Sequence, residues 1–278
     1  MPPTPELRIP NPGTIAFIGG GNMARSLIGA LVRGGTDAAS ISVAEPDERL
    51  RFALARDFGV IVHADAGAAA DGAEVLVLAV KPQVLKQVCA DVVATQGELL
   101  ISIAAGIRID QIEAWLGNTA AIVRAMPNTP ALIGAGATGM IANAAVSAAQ
   151  CARAEAILGA AGRAVWIERE DLMDTVTALS GSGPAYFFLL VEALEDAAVA
   201  QGLPRETARA LATQTCLGAG RMLVEGGEAP ATLRERVTSP GGTTAAALDA
   251  FANGGLRELV REAIAAATRR GRDLSDSS

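Results

Sequence analysis

The 278-residue sequence predicts an α/β protein, with a Rossmann-type, mostly parallel sheet domain over residues 1–168 and an all-α helical domain over residues 169–278. Three observations predict it. Short apolar segments alternate with helix-period segments from Thr14 to about residue 168, a glycine-rich loop joins the first such pair, and beyond residue 169 the pattern is nearly continuous helix.

The first segment, TIAFIG, ends in glycine and runs into GGNMARSLIGALVRGG, where Met23, Leu27, Leu31 and Val32 recur at helical spacing, giving strand, turn and helix. SISVAEP supplies a second strand, AEVLVLAV a third and ELLISIAAG a fourth, with helical segments between them. Strands apolar at nearly every position need cover on both faces, which a parallel sheet with crossover helices provides. AAIVRAMPN, ATGMIAN and AVWIE extend the sheet. In the second domain, GPAYFFLLVEALEDAAVAQGL is apolar almost all round from Ala185 to Val191, as suits a fully buried helix, until Glu192, Glu195 and Asp196 interrupt it short of membrane-spanning length. Pro204 marks the start of a second long helix, and LRELVREAIAAATRRGRDL closes the chain. A helical domain with this much apolar surface most simply buries it against a second copy, giving a homodimer through the C-terminal helices; a self-contained bundle is the alternative.

A formal charge of -7 argues against nucleic acid and anionic membrane as partners, since both recruit an excess of Lys and Arg, and leaves small ligands open. Cys89, Cys151 and Cys216 are widely spaced and fit no metal-ligand pattern, so they read as buried small hydrophobes in a reducing compartment such as the cytoplasm. The N-terminal MPPTPELRIPNPG has no apolar core and reads as a frayed tail rather than a targeting segment.

The loop GGGNMA places Gly19, Gly21 and Ala24 in the G-x-G-x-x-G/A spacing between the first strand and its helix. Gly19 permits the tight turn, Gly21 lets a pyrophosphate approach the backbone, and Ala24 allows close helix packing. Glu45, closing the second strand, is placed to accept from an adenosine ribose and to repel a 2′-phosphate, which favours NADH over NADPH. Further turns follow the third strand, at Val80, Lys81 and Pro82, and the fourth, at Ala104 and Ala105. Lys81 and Lys86 are the only lysines among 23 basic residues, so a lysine at a strand end invites a functional reading over a solvated charge. In RAMPNTP, residues 124–130, Asn128 either orients a ligand or holds a rigid turn.

The chemistry is narrowed by elimination. His63 is the single histidine and lies ahead of the third strand, Tyr186 has Leu190 rather than Lys four positions on, and no lysine follows Lys86. The usual donors to a developing alkoxide are therefore missing, and zinc has too few ligands, so no metal is expected. A protonated imine needs no such donor, which points to imine reduction.

GGGNMA, AVKPQ, RAMPNTP, ALSGSGPAY and VTSPGGTTAAAL stand in the order and spacing of the pyrroline-5-carboxylate reductases, and the resemblance covers residues 14 to about 273. It implies an NAD(P)H-dependent enzyme reducing 1-pyrroline-5-carboxylate to L-proline, a helical dimerisation domain, assembly of dimers into rings, and a substrate site between subunits. By it, Ile18, Gly19, Gly20, Gly21, Asn22, Met23, Val80, Lys81, Pro82, Ala104 and Ala105 resemble cofactor contacts, while Glu170, Thr243 and Thr244 resemble substrate contacts. Ala66 and Arg236 stand where some relatives carry Asn. In VTSPGGTT the glycine-rich turn enters a helix near Thr244, and its N–H groups suit a carboxylate, with Ser239 and Gly242 completing the substrate site. Thr244 is assigned to the ring nitrogen, as the catalytic contact, and Thr243 to the carboxylate. Reduction of another cyclic imino acid and dinucleotide sensing without turnover are the alternative functions.

Overall fold

A computed structural model describes residues 12–92, 99–117 and 120–276; residues 1–11, most of the N-terminal tail read above, lie outside them. Among the described residues one sheet holds β1 (Ile15–Ile18), β2 (Ile41–Ala44), β3 (Ile61–His63), β4 (Val75–Leu78), β5 (Leu99–Ser102), β6 (Ile122–Met126), β7 (Gly136–Ala142) and β8 (Gly162–Trp166). Their order is β3-β2-β1-β4-β5-β6-β7-β8. Every neighbouring pair is parallel except β6 and β7.

The alternation of the strands sorts their side chains into two cores. Ile15, Phe17, Val43, Val75 and Val77 pack with Leu27 and Leu31 of α1 (Asn22–Arg33) on one face. Ala16, Ile18, Leu76 and Leu78 pack on the other with Leu85 of α4 (Pro82–Val92) and Ile112 of α5 (Ile109–Leu116). The shorter α2 (Glu48–Phe58) and α3 (Ala66–Ala70), with α6 (Ala148–Gly159), complete the connections.

One strand is added and another's direction becomes defined. Ile61–His63 forms an edge strand that the sequence did not signal, because three residues on one neighbour are too few to set a period. His63 therefore ends a strand of its own, still ahead of the strand that AEVLVLAV forms. The strand ATGMIAN runs antiparallel because only residues 127–135, including a 3₁₀ turn at Thr129–Ile133, separate it from β6, too few for a parallel crossover.

By packing, the chain divides into a unit to Ser182 that regains Ala267–Ser278, and a second unit, Gly183–Ala266. The sheet unit reaches past residue 168 because a 3₁₀ turn (Glu170–Leu172), α7 (Met173–Val176) and a π turn (Thr177–Gly181) follow β8, and Met173 is buried in the second core. Gly139 of β7 leaves room for this segment, since a Cβ there would lie 2.5 Å from Val176 Cγ1.

The helical part comprises α8 (Gly183–Ala200), α9 (Arg205–Glu225), α10 (Pro230–Arg236), α11 (Thr243–Asn253) and α12 (Leu256–Asp276). Ala185 to Val191 do not form a buried helix within this chain: Phe187, Phe188 and Leu189 are exposed, and in α8 only Gly183 and Glu195 are buried. A run apolar on all sides is covered only when something beyond its own unit packs on it. The cysteine reading is also revised, since Cys89 is buried but Cys151 and Cys216 are only half-buried; all three are free thiols.

Candidate active site

In an open α/β sheet, ligands bind outside the carboxyl ends of the strands where the strand order reverses, and here that point lies between β1 and β4. Ile18 pairs in register with Leu78, and Leu78 with Ser102, so the turns beginning at Gly19, Ala79 and Ile103 emerge on one edge. This edge gathers most of the cofactor residues named from the sequence. Gly19 has φ +104°, and a Cβ there would lie 2.7 Å from the Ala79 carbonyl oxygen and 3.0 Å from Val80 Cγ1, so only glycine serves. Gly20 is buried, and its Cβ would meet Leu54 Cδ1 at 2.6 Å.

Gly21 is different: it caps α1, and nothing lies within 4 Å of where its Cβ would stand. No side chain caps the helix and its first turn holds no acid, so the amides at Asn22 and Met23 keep the positive end of the helix available to an anion. These residues fit a dinucleotide pyrophosphate. Val80 and Pro82 are half-buried, Lys81 is exposed, and Ala104 is buried beside exposed Ala105.

Glu45 is buried, and both carboxylate oxygens accept from backbone: Oε2 from Gly20 N at 2.9 Å and Oε1 from Asp47 N at 3.0 Å. Asp47 caps α2, accepting from Arg49 N and Leu50 N, and Glu48 follows in the first turn.

Glu170 sits beside a cavity of about 450 Å³, lined also by Arg108, Arg124 and Arg272, where its Oε1 accepts from Arg124 Nη1 at 2.8 Å and from Ile109 N at 2.9 Å. Arg124 is 4% exposed, and a buried guanidinium needs such a partner. The sequence did not single out Arg124. Its signal was an arginine inside an apolar strand, but the partner lies 46 residues away. For Asn128 the structure favours the rigid turn: Nδ2 donates to Ser180 O at 2.9 Å and Oδ1 accepts from Ala137 N at 2.8 Å.

The VTSPGGTT stretch lies in the helical unit. Gly242 N donates to Ser239 O at 3.0 Å, closing a turn in which Gly241 takes φ +70°. Gly242 caps α11 with no side-chain bond, so the helix starts at exposed Thr243, with Thr244 half-buried in the next position. Its first-turn amides are uncapped, as at α1. Among the described residues, no helix is long and apolar enough to cross a membrane.

A switch-point glycine loop on a parallel sheet, followed by helices rich in exposed apolar surface, defines a dinucleotide-dependent oxidoreductase with a helical association domain. The family model described as pyrroline-5-carboxylate reductase dimerisation matches residues 170–274, and that described as NADP oxidoreductase, coenzyme F420-dependent, matches residues 14–106. The chain belongs to the pyrroline-5-carboxylate reductase family. A Pseudomonas aeruginosa pyrroline-5-carboxylate reductase is 50% identical over 94% of this chain and 97% of its own length. The solved Coxiella burnetii pyrroline-5-carboxylate reductase is 45% identical, with a TM-score of 0.93 over 95% of this chain and 99% of that one. A Plasmodium falciparum pyrroline carboxylate reductase, solved with NADP bound, is 28% identical, with a TM-score of 0.81 over 95% of this chain and 99% of that one.

Proposed function

We propose that the protein reduces 1-pyrroline-5-carboxylate to L-proline with NAD(P)H. The observation that carries this reading is 50% identity, over nearly the full length, with a reductase of that name, in a chain whose β1 turn has the glycine geometry a dinucleotide requires. When bound, NAD(P)H would supply a hydride to the C=N carbon of the protonated imine, leaving the amine of proline. The chain binds, orients and excludes water. Ile18 to Met23, Val80 to Pro82, Ala104 and Ala105 hold the cofactor.

Thr244 hydrogen-bonds the ring nitrogen, and Thr243, Ser239 and the amide beyond Gly242 receive the carboxylate, a role supported by the uncapped start of α11. Glu170 reaches substrate through Oε2, since Arg124 and Ile109 N occupy Oε1. Holding the imine carbon in line for hydride supplies most of the acceleration.

NADH serves at least as well as NADPH, because the exposed Asp47 and Glu48 crowd the β2–α2 turn with negative charge. Residues 1–168 act as the dinucleotide-binding domain and 169–278 as the dimerisation and substrate domain. Dimers assemble further into rings, and three free thiols suit the cytoplasm. Oxidation of NADH on addition of 1-pyrroline-5-carboxylate, with proline formed in equal amount, is the expected result. Coenzyme binding without turnover would overturn the reading, and a tenfold better kcat/KM with NADPH would overturn the coenzyme preference.

A further inference from the structure

We propose that Glu45 is a positioning residue of the pyrophosphate cradle, holding the glycine loop in shape for NADH and NADPH alike, rather than the group that tells them apart. The proposal rests on the coenzyme reading above and assigns this carboxylate a different role within it. Each oxygen of Glu45 accepts a backbone N–H, from Gly20 and from Asp47, and the residue is only 9% exposed, so its carboxylate is engaged with the two turns rather than offered to solvent.

The rest of the turn locks the carboxylate in place. Glu45 N donates to His63 O at 3.0 Å, and Arg51 Nη1 donates to both Glu45 O and Pro46 O at 2.7 Å, which fixes the turn on β3 and α2. Gly19 N donates to Ala44 O at 2.8 Å, one residue before the Gly20 to Glu45 bond, so two successive amides of the glycine loop are tied to two successive residues of the neighbouring turn. A Cβ at Gly20 would lie 3.2 Å from Glu45 Cβ, which brings the two backbones together.

Gly20 itself is therefore drawn inward, and Gly21 is left on the outer side of the loop with open space where a side chain would stand. The buried bond thus aims the pyrophosphate-facing amides. Without it, Gly20 N would lose its acceptor in a buried position, and the loop would have to rearrange to satisfy it. The exposed Glu48, and Asp47 at the cap of α2, carry the negative charge that faces solvent in this turn.

The two roles predict opposite signs for NADPH. A charge that repels a 2′-phosphate, once removed, lets NADPH bind more tightly; a latch, once removed, weakens both coenzymes. The test is direct binding of NADH and of NADPH by calorimetry to the full chain and to Glu45→Gln and Glu45→Ala, with amide exchange followed at Gly20. Glu45→Ala is expected to weaken both coenzymes about tenfold, the loss of one hydrogen bond to a charged group. Glu45→Gln keeps the size and one acceptor oxygen, and is expected to lose less for both. The coenzyme KM should rise while kcat at saturation stays within about twofold, a split that partial unfolding would not give, since unfolding lowers kcat and leaves KM alone. Gly20 amide exchange should accelerate in Glu45→Ala without ligand. Tighter NADPH binding in either variant, or Gly20 exchange unchanged in Glu45→Ala, would overturn the proposal. If the unsubstituted chain bound neither coenzyme, the cofactor reading itself would fail, and Gly20 exchange would still decide whether the latch exists.

Discussion

At the level of single residues, the two glycines of VTSPGGTT are not equivalent. Gly241 has φ +70°, a region that costs a β-carbon-bearing residue about 1 kcal/mol or more, whereas Gly242 has φ −82° and ψ 174°, extended backbone open to any residue. A side chain at Gly242 meets Ser239 instead, with its Cβ 2.6 Å from Ser239 Oγ, which would have to swing aside, and 3.2 Å from Ser239 O. Thr244→Ala is expected to lower kcat/KM for the imine about ten- to a hundredfold, the loss of one hydrogen bond to a charged ligand, with coenzyme binding unchanged. Gly242→Val should be worse, since it displaces Ser239 as well. Steady-state kinetics beside calorimetric coenzyme binding checks both. Equal loss of coenzyme affinity and imine turnover in folded Thr244→Ala, or full activity, would reduce the stretch to a helix-capping turn. Here the sequence shows that a turn rich in glycine enters a helix, but not which glycine bears the strained angle, because φ is set by the Gly242 to Ser239 bond rather than by residue type.

Among the elements, those that were legible carry their own signal: β1, β2, β4 and β5 are four-residue runs beside the cofactor turns, apolar but for Ser42 and Ser102. What was not legible depends on partners distant in the chain, such as Arg124 with Glu170, or Asn128 with Ser180. Glu195 is a further case. In the sequence it only interrupts an apolar run, yet in the fold it is 7% exposed and clamps α8 to α9. Arg209 grips it with two bonds, Nε to Oε2 at 3.0 Å and Nη2 to Oε1 at 3.1 Å, and Arg205 Nη1 adds a third at 3.0 Å. Arg209 first, then Arg205, holds the Glu195 carboxyl below its ordinary value of 4.5. A depressed folded-state pKa means that the contribution is fully present above 4.5 and is lost as pH falls through the lower folded value. Melting temperature should therefore fall with pH below about 4.5, and Glu195→Gln, less stable at neutral pH, should converge on the unsubstituted protein in acid. Parallel curves that never converge would show that the carboxylate does not carry the effect.

For the whole molecule, the question is where the helical part finds a core. Both cores of buried residues belong to the sheet unit, whereas within Gly183–Ala266 only Gly183, Glu195 and Ala208 are buried, and Ala208 is the one apolar side chain among them. Phe188 is 68% exposed and Val224 77%. One buried alanine cannot offset the conformational entropy of ordering several helices, so their stability must come from apolar area buried on association. A family whose matched region is a dimerisation domain agrees with this. Folding of the helices and formation of the oligomer should then be a single event, with a melting temperature that rises with protein concentration by mass action. Phe188→Arg places a charge on the apolar face of α8 and is expected to yield a smaller sedimenting species without imine turnover. The sheet unit keeps its own cores, so this variant should still bind coenzyme, which separates lost association from general misfolding. A stable monomer with full turnover at nanomolar concentration would contradict both the shared core and the expectation of a substrate site between subunits.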